Sequence, residues 1–228
     1  MISVYNMSCI QGAKEKISDD SVDLMICDPP YNLGYGGTTS KITKKARFGL
    51  FANDKLDDRD YRRFSFEWLH EAYRILKPGS HIYVFIDWRM YPLLNIWMKQ
   101  VGFQIKNVIV WDKTYCSMGN FYRYQYELII FAWKGKKAKR LVMKKRNVSD
   151  VWPIKKVPPQ RMKHPTQKPE ELMEKIIYHS SQEGDLLVDF FAGSGVVGRV
   201  AKKMERNYIG FEIDMKYFNE TNNALKNN

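Results

Sequence analysis

The stretch LMICDPPYN, residues 24–32, carries the clearest structural signal in the chain. Its apolar run predicts a buried strand of a parallel sheet. Two prolines end that strand, because neither has an amide hydrogen to donate to the sheet ladder. Each proline also restricts the residue before it, so the turn is stiff. The stretch therefore predicts a rigid corner at the carboxyl end of a strand, which is where open α/β sheets bind ligands.

The groups at this corner suit a flat ring that carries an amino group. The Asp28 carboxylate and the Pro29 carbonyl are acceptors, and an exocyclic amino group has two donors. Pro30 completes the corner, and the ring of Tyr31 is placed to stack on a planar ligand. Taken alone, the pattern is equally compatible with an ordinary strand-ending turn. The candidate catalytic residues are Asp28, Pro29, Pro30 and Tyr31.

Length and composition indicate one domain. A chain of 228 residues is long enough to bury a core without disulfide or metal support. It contains no apolar run of membrane-spanning length and no signal-peptide pattern. Its three cysteines lie far apart and show no metal-ligand spacing. We therefore expect a reduced, cytoplasmic protein with no membrane partner and no bound metal.

Positive charge is concentrated in residues 134–168. This stretch holds thirteen lysines and arginines and one acid, Asp150, a surplus that equals the net charge of +12 of the whole chain. So confined a surplus predicts contact with a polyanion, most simply nucleic acid. The alternative is a solvated basic loop, but the interleaved Trp152 and prolines favour binding. The candidate nucleic-acid-binding residues are Lys136, Lys137, Lys139, Arg140, Lys144, Lys145 and Arg146.

Strands alternate with helices along most of the chain, which predicts a predominantly parallel α/β sheet. Helices are expected at residues 9–17, 61–76, 90–101, 170–180 and 196–204, and strands at 22–27, 81–86, 104–111, 126–133, 185–191 and 207–213. The long connection 34–60 is expected to be a substrate-ordered flap or plain disorder. Aromatic residues are dense at 111–127, where they either stack on bases or belong to the core.

A second candidate binding element follows the strand expected at 185–191. The turn Ala192-Gly193-Ser194-Gly195 leads from that strand straight into a helix, an order with which Rossmann-like folds bind nucleotides. The next strand carries Glu212, an acid placed to hold ribose hydroxyls. These residues predict a nucleoside-type pocket between Asp189 and Glu212, on the same edge of the sheet as the Asp28 corner.

Four motifs together resemble the amino-group DNA methyltransferases, which methylate N6 of adenine or N4 of cytosine. The motifs are DPPY at 28–31, HPTQKP at 164–169, DFFAGSG at 189–195 and GFEID at 210–214, in an order similar to the family's β group. The resemblance implies an α/β, Rossmann-like methyltransferase fold with a mostly parallel twisted sheet. Within one domain, 1–228, it implies a catalytic half at 1–133, a basic target-recognition insertion at 134–163 and a cofactor-binding half at 164–228.

The resemblance also implies S-adenosylmethionine as the methyl donor and DNA as the substrate. Glu212 is expected to hold the ribose, and Lys168 to lie near the cofactor's carboxylate. Aspartate rather than serine at position 28 indicates the adenine N6 branch. Val196-Val197 depart from the family's usual Thr-Thr and remove two hydroxyls beside the turn. The candidate cofactor-binding residues are Lys168, Asp189, Phe191, Ala192, Gly193, Ser194, Gly195 and Glu212.

Other functions stay open at the level of sequence. An N4-cytosine or an RNA-adenine methyltransferase is compatible with the same motifs and the same basic segment. A protein-glutamine methyltransferase is less compatible, since those enzymes usually carry asparagine where this chain has Asp28. A nucleic-acid-binding protein with a decayed site, or a dehydrogenase, would leave the prolyl corner without a role. A homodimer and a cognate restriction enzyme are candidate partners.

Overall fold

The computed structural model describes residues 1–34, 52–116, 121–138, 147–158 and 167–226. These residues form eight strands and six helices. The strands are β1 (Ile2–Tyr5), β2 (Val22–Cys27), β3 (Leu76–Ile86), β4 (Phe103–Asp112), β5 (Tyr126–Lys134), β6 (Val151–Pro153), β7 (Leu186–Asp189) and β8 (Asn207–Phe211). The helices are α1 (Cys9–Lys16), α2 (Asp58–Ile75), α3 (Tyr91–Val101), α4 (Glu170–Ser180), α5 (Val196–Lys203) and α6 (Met215–Lys226).

All eight strands belong to one sheet with the order β1-β8-β7-β2-β3-β5-β4-β6. Every pairing is parallel except those of β5, which runs antiparallel to β3 and β4. The expectation of a mostly parallel α/β sheet is therefore confirmed. The strand order reverses between β7 and β2. A crevice at such a switch point is the usual ligand site of an open α/β sheet, and here both predicted half-sites lead into it.

Helices cover both faces of the sheet because successive strand residues point to opposite sides. Met25 and Cys27 of β2 face the core formed with α1, α2 and α3. Leu24 and Ile26 face the core formed with α4, α5 and α6. The central strand is apolar on both faces, as its continuous apolar run predicts.

One element boundary differs in kind from the prediction. Pro78-Gly79 was expected to lie in a break before a strand at 81–86, yet β3 begins at Leu76 directly after α2. Leu76 pairs with Val22 and His81 with Leu24, so residues 77–80 bulge outward opposite a single residue of β2. The turn signal of proline and glycine is thus absorbed as an irregularity within a strand.

The strands at the site are shorter than predicted. β7 ends at Asp189 and β8 at Phe211, so Phe191 and Glu212 lie in the loops that follow these strands. Phe190, the apolar residue directly after β7, packs under the site instead: it is buried, and its ring centroid lies 6.0 Å from that of Phe211, the last residue of β8.

Trp152 corrects one interpretation of the basic segment. The residue lies in β6, is 3% exposed and donates its indole hydrogen to the Ser149 carbonyl at 2.7 Å. The Lys175 ammonium lies 4.5 Å from its ring centre. Trp152 is therefore a core residue, and counting it in a nucleic-acid-binding surface was wrong. In the described parts of the chain, no helix has both the length and the apolar character needed to cross a bilayer.

Candidate active site

The crevice between the ends of β2 and β7 is a cavity of about 400 Å³. The structure brings the two predicted half-sites together there. The residues of both half-sites in its lining are Asp28, Pro29, Pro30, Tyr31, Lys168, Asp189, Phe191, Ala192, Gly193, Ser194 and Glu212. Gly195 lies just behind them as the N-cap residue of α5. A single cavity therefore joins a corner rich in acceptors to a glycine turn.

The corner itself is held by side-chain hydrogen bonds. Asp28 accepts at one oxygen from the Tyr31 hydroxyl and at the other from the Lys168 ammonium, each at 2.6 Å. The Tyr61 hydroxyl donates to the Pro30 carbonyl at 2.8 Å. Burial raises the pKa of Asp28 above its ordinary value, and the Lys168 ammonium opposes that rise. Tyr31 thus orients the carboxylate while its ring lines the cavity.

Among the charged cavity-lining residues that the prediction missed, two form ion pairs beside the Asp28 corner. Glu127 is the second residue of β5, and Lys113 follows the last residue of β4. The Lys113 ammonium donates to Glu127 at 2.6 Å, and the Lys168 ammonium lies 3.2 Å from the other Glu127 oxygen. Burial disfavours the Glu127 anion, but these two ammonium groups outweigh it and lower its pKa to about 2.

The position of Glu127 depends on the direction of β5. A parallel strand would place its first residues at the far edge of the sheet, whereas the antiparallel β5 brings them to the edge that carries Asp28. Strand direction is not visible in the residue pattern. The available signal was a single acid immediately before the apolar run LIIFAW.

Lys168 lies between Asp28 and Glu127 and has a side chain only 6% exposed. Burial disfavours its ammonium form, but the two carboxylates outweigh that effect and raise its pKa above the ordinary value. The structure thus assigns Lys168 to the Asp28 corner, because a buried ammonium requires anionic partners. The expected contact with a cofactor carboxylate stays a prediction. Residues 164–166 of the same motif lie outside the described residues.

The opposite side of the cavity offers fixed acceptors and a close backbone. Glu212 accepts from the Gly193 amide at 2.9 Å and from the Asp214 amide at 2.8 Å, so two backbone amides orient its carboxylate. Burial raises its pKa above the ordinary value. The Thr221 hydroxyl donates to the Gly193 carbonyl at 2.6 Å. The Glu212 carboxylate has further lone pairs, which can accept hydrogen bonds from sugar hydroxyls.

Gly195 must be glycine in this turn. Its φ is +69°, and a Cβ atom there would lie 2.6 Å from Cγ2 of Thr221. Phe191 supplies an apolar wall, held edge-on against Trp68 with ring centroids 5.6 Å apart. A turn with two glycines, an apolar wall and an oriented carboxylate together fit an adenosine-bearing ligand such as S-adenosylmethionine.

Asp189 yields a prediction about pH and stability. Burial raises the pKa of this carboxyl to about 8, and repulsion from Asp28 and Glu212 adds to the rise. The folded protein therefore keeps this proton to higher pH than the unfolded chain. The group's favourable contribution is fully present below about pH 4 and is lost as the pH rises towards about 8.

Asp189→Asn keeps an acceptor for the Phe191 amide but carries no charge. We expect its gain in Tm over the native protein to be larger at pH 8 than at pH 5 by roughly 10 °C, or about 3–4 kcal/mol at this chain length, because the native carboxyl loses about 1.4 kcal/mol of stability for each pH unit in this range. Thermal melts of the protein without cofactor measure this difference. The exposed Asp58→Asn is the control. An equal gain at both pH values would contradict the buried proton.

The predicted nucleic-acid contacts are only partly described. Lys136 and Lys137 are exposed beyond the end of β5, and Lys139, Arg140, Lys144, Lys145 and Arg146 lie outside the described residues. The aromatic residues described between positions 111 and 127 differ in their exposure. Trp111 is core, whereas Phe121 and Tyr122 are 100% and 98% exposed. Tyr124 and Tyr126 are about half exposed and line the cavity.

The expected flap at 34–60 is described only at its two ends. The Asn32 side chain accepts from the Leu56 amide at 2.7 Å and donates to the Leu56 carbonyl at 3.1 Å. The Gly34 amide donates to the Asp54 carbonyl at 2.7 Å. The two ends therefore lie side by side at the cavity. The flap expected between them falls on residues 35–51, outside the described residues.

Comparison with known proteins agrees with this geometry. The family model described as DNA methylase matches residues 22–223. Type II methyltransferase M2.DpnII of Streptococcus pneumoniae is 33% identical over 218 residues, which cover 89% of this chain and 81% of the relative. Type II methyltransferase M.HpaI of Haemophilus parainfluenzae is 34% identical over 229 residues, which cover 90% and 68%. The crystal structure of an M1.HpyAVI–SAM complex superposes with a TM-score of 0.74 at 28% identity, covering 99% of this chain and 100% of that one.

One cavity that joins an acceptor corner to a glycine turn is compatible with methyl transfer to an amino group. The chain belongs to the DNA methylase family of N6 and N4 amino-methyltransferases. It is an enzyme that uses S-adenosylmethionine to methylate DNA at specific sites. The methyltransferase prediction and the predicted cofactor are thereby confirmed.

Proposed function

We propose that the target is the N6 amino group of adenine. The observation that carries the proposal is the acceptor pair at Asp28 and Pro29, open to the same cavity as the Gly193 turn. Aspartate rather than serine at position 28 supports adenine over cytosine. N4 of cytosine and adenine in RNA are the alternatives, since both present an exocyclic amino group with two donors.

The catalytic roles follow from the electronic structure of the target. An exocyclic amino nitrogen is a poor nucleophile, because its lone pair is delocalised into the ring. Acceptance of its two N–H bonds by Asp28 and the Pro29 carbonyl favours a tetrahedral nitrogen with an available lone pair. Asp28 then stabilises the positive charge that develops on this nitrogen before its proton leaves. Bound S-adenosylmethionine supplies the methyl carbon, on a positively charged sulfur that departs with the bonding electron pair.

The buried cysteines fit direct attack without a covalent enzyme intermediate. Cys9 and Cys27 are buried, and burial raises the pKa of Cys9 to about 12 and that of Cys27 well above its ordinary value. A thiol with so high a pKa provides no thiolate at neutral pH. Positioning and electrostatic stabilisation by the corner are then the main sources of the rate.

A target in duplex DNA must leave the stack before it reaches the corner, at a cost of a few kcal/mol. We propose that Tyr31 stacks on the flipped ring. Tyr124 and Tyr126, half exposed at the cavity, are proposed to contact the flipped nucleotide or its neighbours. The basic insertion at 134–163 then holds the phosphate backbone, while 1–133 supplies the corner and 164–228 supplies the cofactor cradle.

The exposed pair Lys136 and Lys137 yields a salt-dependence prediction. Lys136→Gln/Lys137→Gln is expected to weaken DNA binding and to reduce the slope of log affinity against log salt by roughly 1 for each phosphate that the variant no longer neutralises. Fluorescence anisotropy at several salt concentrations measures the slope. Lys203→Gln, at the far end of α5, is the matched control. A slope unchanged by the double substitution would remove these lysines from the interface.

The proposed target is tested by transfer of a labelled methyl group to unmodified DNA, followed by nucleoside analysis. N6-methyladenine is the expected product. N4-methylcytosine would overturn the assignment of adenine, and label found only in RNA would refute DNA as the substrate. The cytoplasmic location, the homodimer and the cognate restriction enzyme stay predictions of the sequence.

A further inference from the structure

Four charged side chains of alternating sign form a row that starts at the corner. The order is Asp28, Lys168, Glu127 and Lys113, with successive nitrogen–oxygen distances of 2.6, 3.2 and 2.6 Å. The middle two residues, Lys168 and Glu127, both line the cavity. Their side chains are 6% and 21% exposed. Two anions and two cations give the row no net charge.

Burying these charges costs free energy that apolar side chains would avoid, so fold stability alone does not explain them. Networks of this kind that lie beside a cavity are candidates for functional groups. Asp28 and Lys168 already form a complete ion pair without further partners. The presence of the second ion pair, Glu127 and Lys113, therefore requires a separate explanation.

The positive charge that develops on the reacting nitrogen supplies that explanation, because a nearby negative charge stabilises it. An ammonium 2.6 Å from Asp28 cancels most of the negative charge that the corner offers to a nitrogen becoming positive. Glu127 places a second negative charge against the same ammonium, and the compensating Lys113 ammonium stands one place farther along the row from Asp28. Lys113 holds Glu127 in place from its other oxygen.

We propose that Glu127 is a positioning residue that acts through Lys168 and leaves the charge of Asp28 available to the target amino group. This inference rests on the proposed function. Glu127 shares the Lys168 ammonium, so this cation orients Asp28 without neutralising it. The carboxylate of Glu127 itself does not touch the reacting atoms.

A merely structural role is the competing explanation. Glu127 pairs with Trp111 in the β4–β5 ladder, and its bond to Lys113 ties the ends of these strands together. In that case its loss would loosen the strands, and further loss of Lys168 would add damage. The charge-sharing role predicts the opposite for the second substitution, because removing Lys168 together with Glu127 restores a row without net charge.

The experiment compares single-turnover methyl transfer at saturating DNA and cofactor for Glu127→Gln and for Glu127→Gln/Lys168→Met. Glu127→Gln is expected to slow transfer by about 10- to 100-fold. Its affinity for S-adenosylmethionine should stay within about threefold of the native value. At alkaline pH, where Asp28 stays ionised without its ammonium partner, the double variant should transfer methyl groups about fivefold or more faster than Glu127→Gln alone, as coupled sites do in a double-mutant cycle. The exposed Glu183→Gln is the matched control, and thermal melts confirm that each variant is folded.

Two outcomes overturn the inference while the proposed function stands. One is a Glu127→Gln rate within about threefold of the native rate, and the other is a double variant slower than Glu127→Gln. Native protein that methylates no DNA would instead refute the proposed function, and the role of Glu127 would fall with it.

Discussion

Replacing Asp28 by alanine is expected to slow methyl transfer by about 1,000-fold or more. The substitution removes the acceptor for one amino hydrogen and the negative charge that faces the developing positive nitrogen. Affinity for S-adenosylmethionine should stay within about threefold, because most of the residues proposed to hold the cofactor, Phe191 to Ser194 and Glu212, lie on the loops after β7 and β8. Single-turnover labelling and titration calorimetry measure the two quantities separately.

Asp28→Asn sharpens the same test. Asparagine keeps the size of the side chain and one acceptor oxygen but has no charge, so a loss nearly as large as that of Asp28→Ala would assign the effect to charge. Asp58→Ala, an exposed acid in the first turn of α2, is the control. Near-native activity in both Asp28 variants would refute the catalytic role of the corner.

Replacing Lys168 by methionine is expected to destabilise the protein by about 3–5 kcal/mol, which corresponds to a drop in Tm of roughly 10 °C at this chain length. The methionine fills a similar volume, but Asp28 and Glu127 are left as two partly buried carboxylates that share no cation. Urea and thermal unfolding measure the loss. Lys203→Met, whose side chain is 67% exposed beside Glu174, should change Tm by no more than about 1 °C.

The loss in Lys168→Met should also depend on pH. Without the ammonium, the raised pKa of Asp28 rises further, so the folded variant binds a proton that the unfolded chain releases. Stability of the variant then falls more steeply with increasing pH than that of the native protein. The deficit should therefore be smaller at pH 5 than at pH 8. A deficit independent of pH would show that lost packing, and not charge, dominates.

Local patterns predicted the parts of the site that lie at strand ends. The Asp28 corner and the Gly193 turn are each encoded in a few consecutive residues, because prolines and glycines report directly on backbone geometry. A parallel sheet then places both at one edge, so their meeting also followed from the pattern. The structure confirms that they line one cavity.

Long-range pairings were not accessible in the same way. Glu127 reaches Lys168 only because β5 is inserted between β3 and β4 in the reverse direction. Trp152 becomes a core residue only because β6 joins the sheet beside β4. In both cases the environment of the side chain is set by a strand partner far away in sequence. A local sequence pattern reports only on the neighbours along the chain, so it does not predict that environment.

The two chain ends that lie side by side at the cavity, near Asn32 and Leu56, make this part of the scaffold tolerant of loop replacement. Asn32 bonds both backbone groups of Leu56, and Gly34 bonds Asp54, so the ends are closed by their own contacts. The entropy of closing a loop grows only slowly with its length. A segment of different length or sequence can therefore replace residues 35–51 between these fixed ends. Such a replacement would leave the catalytic corner, a few residues before this loop, unchanged.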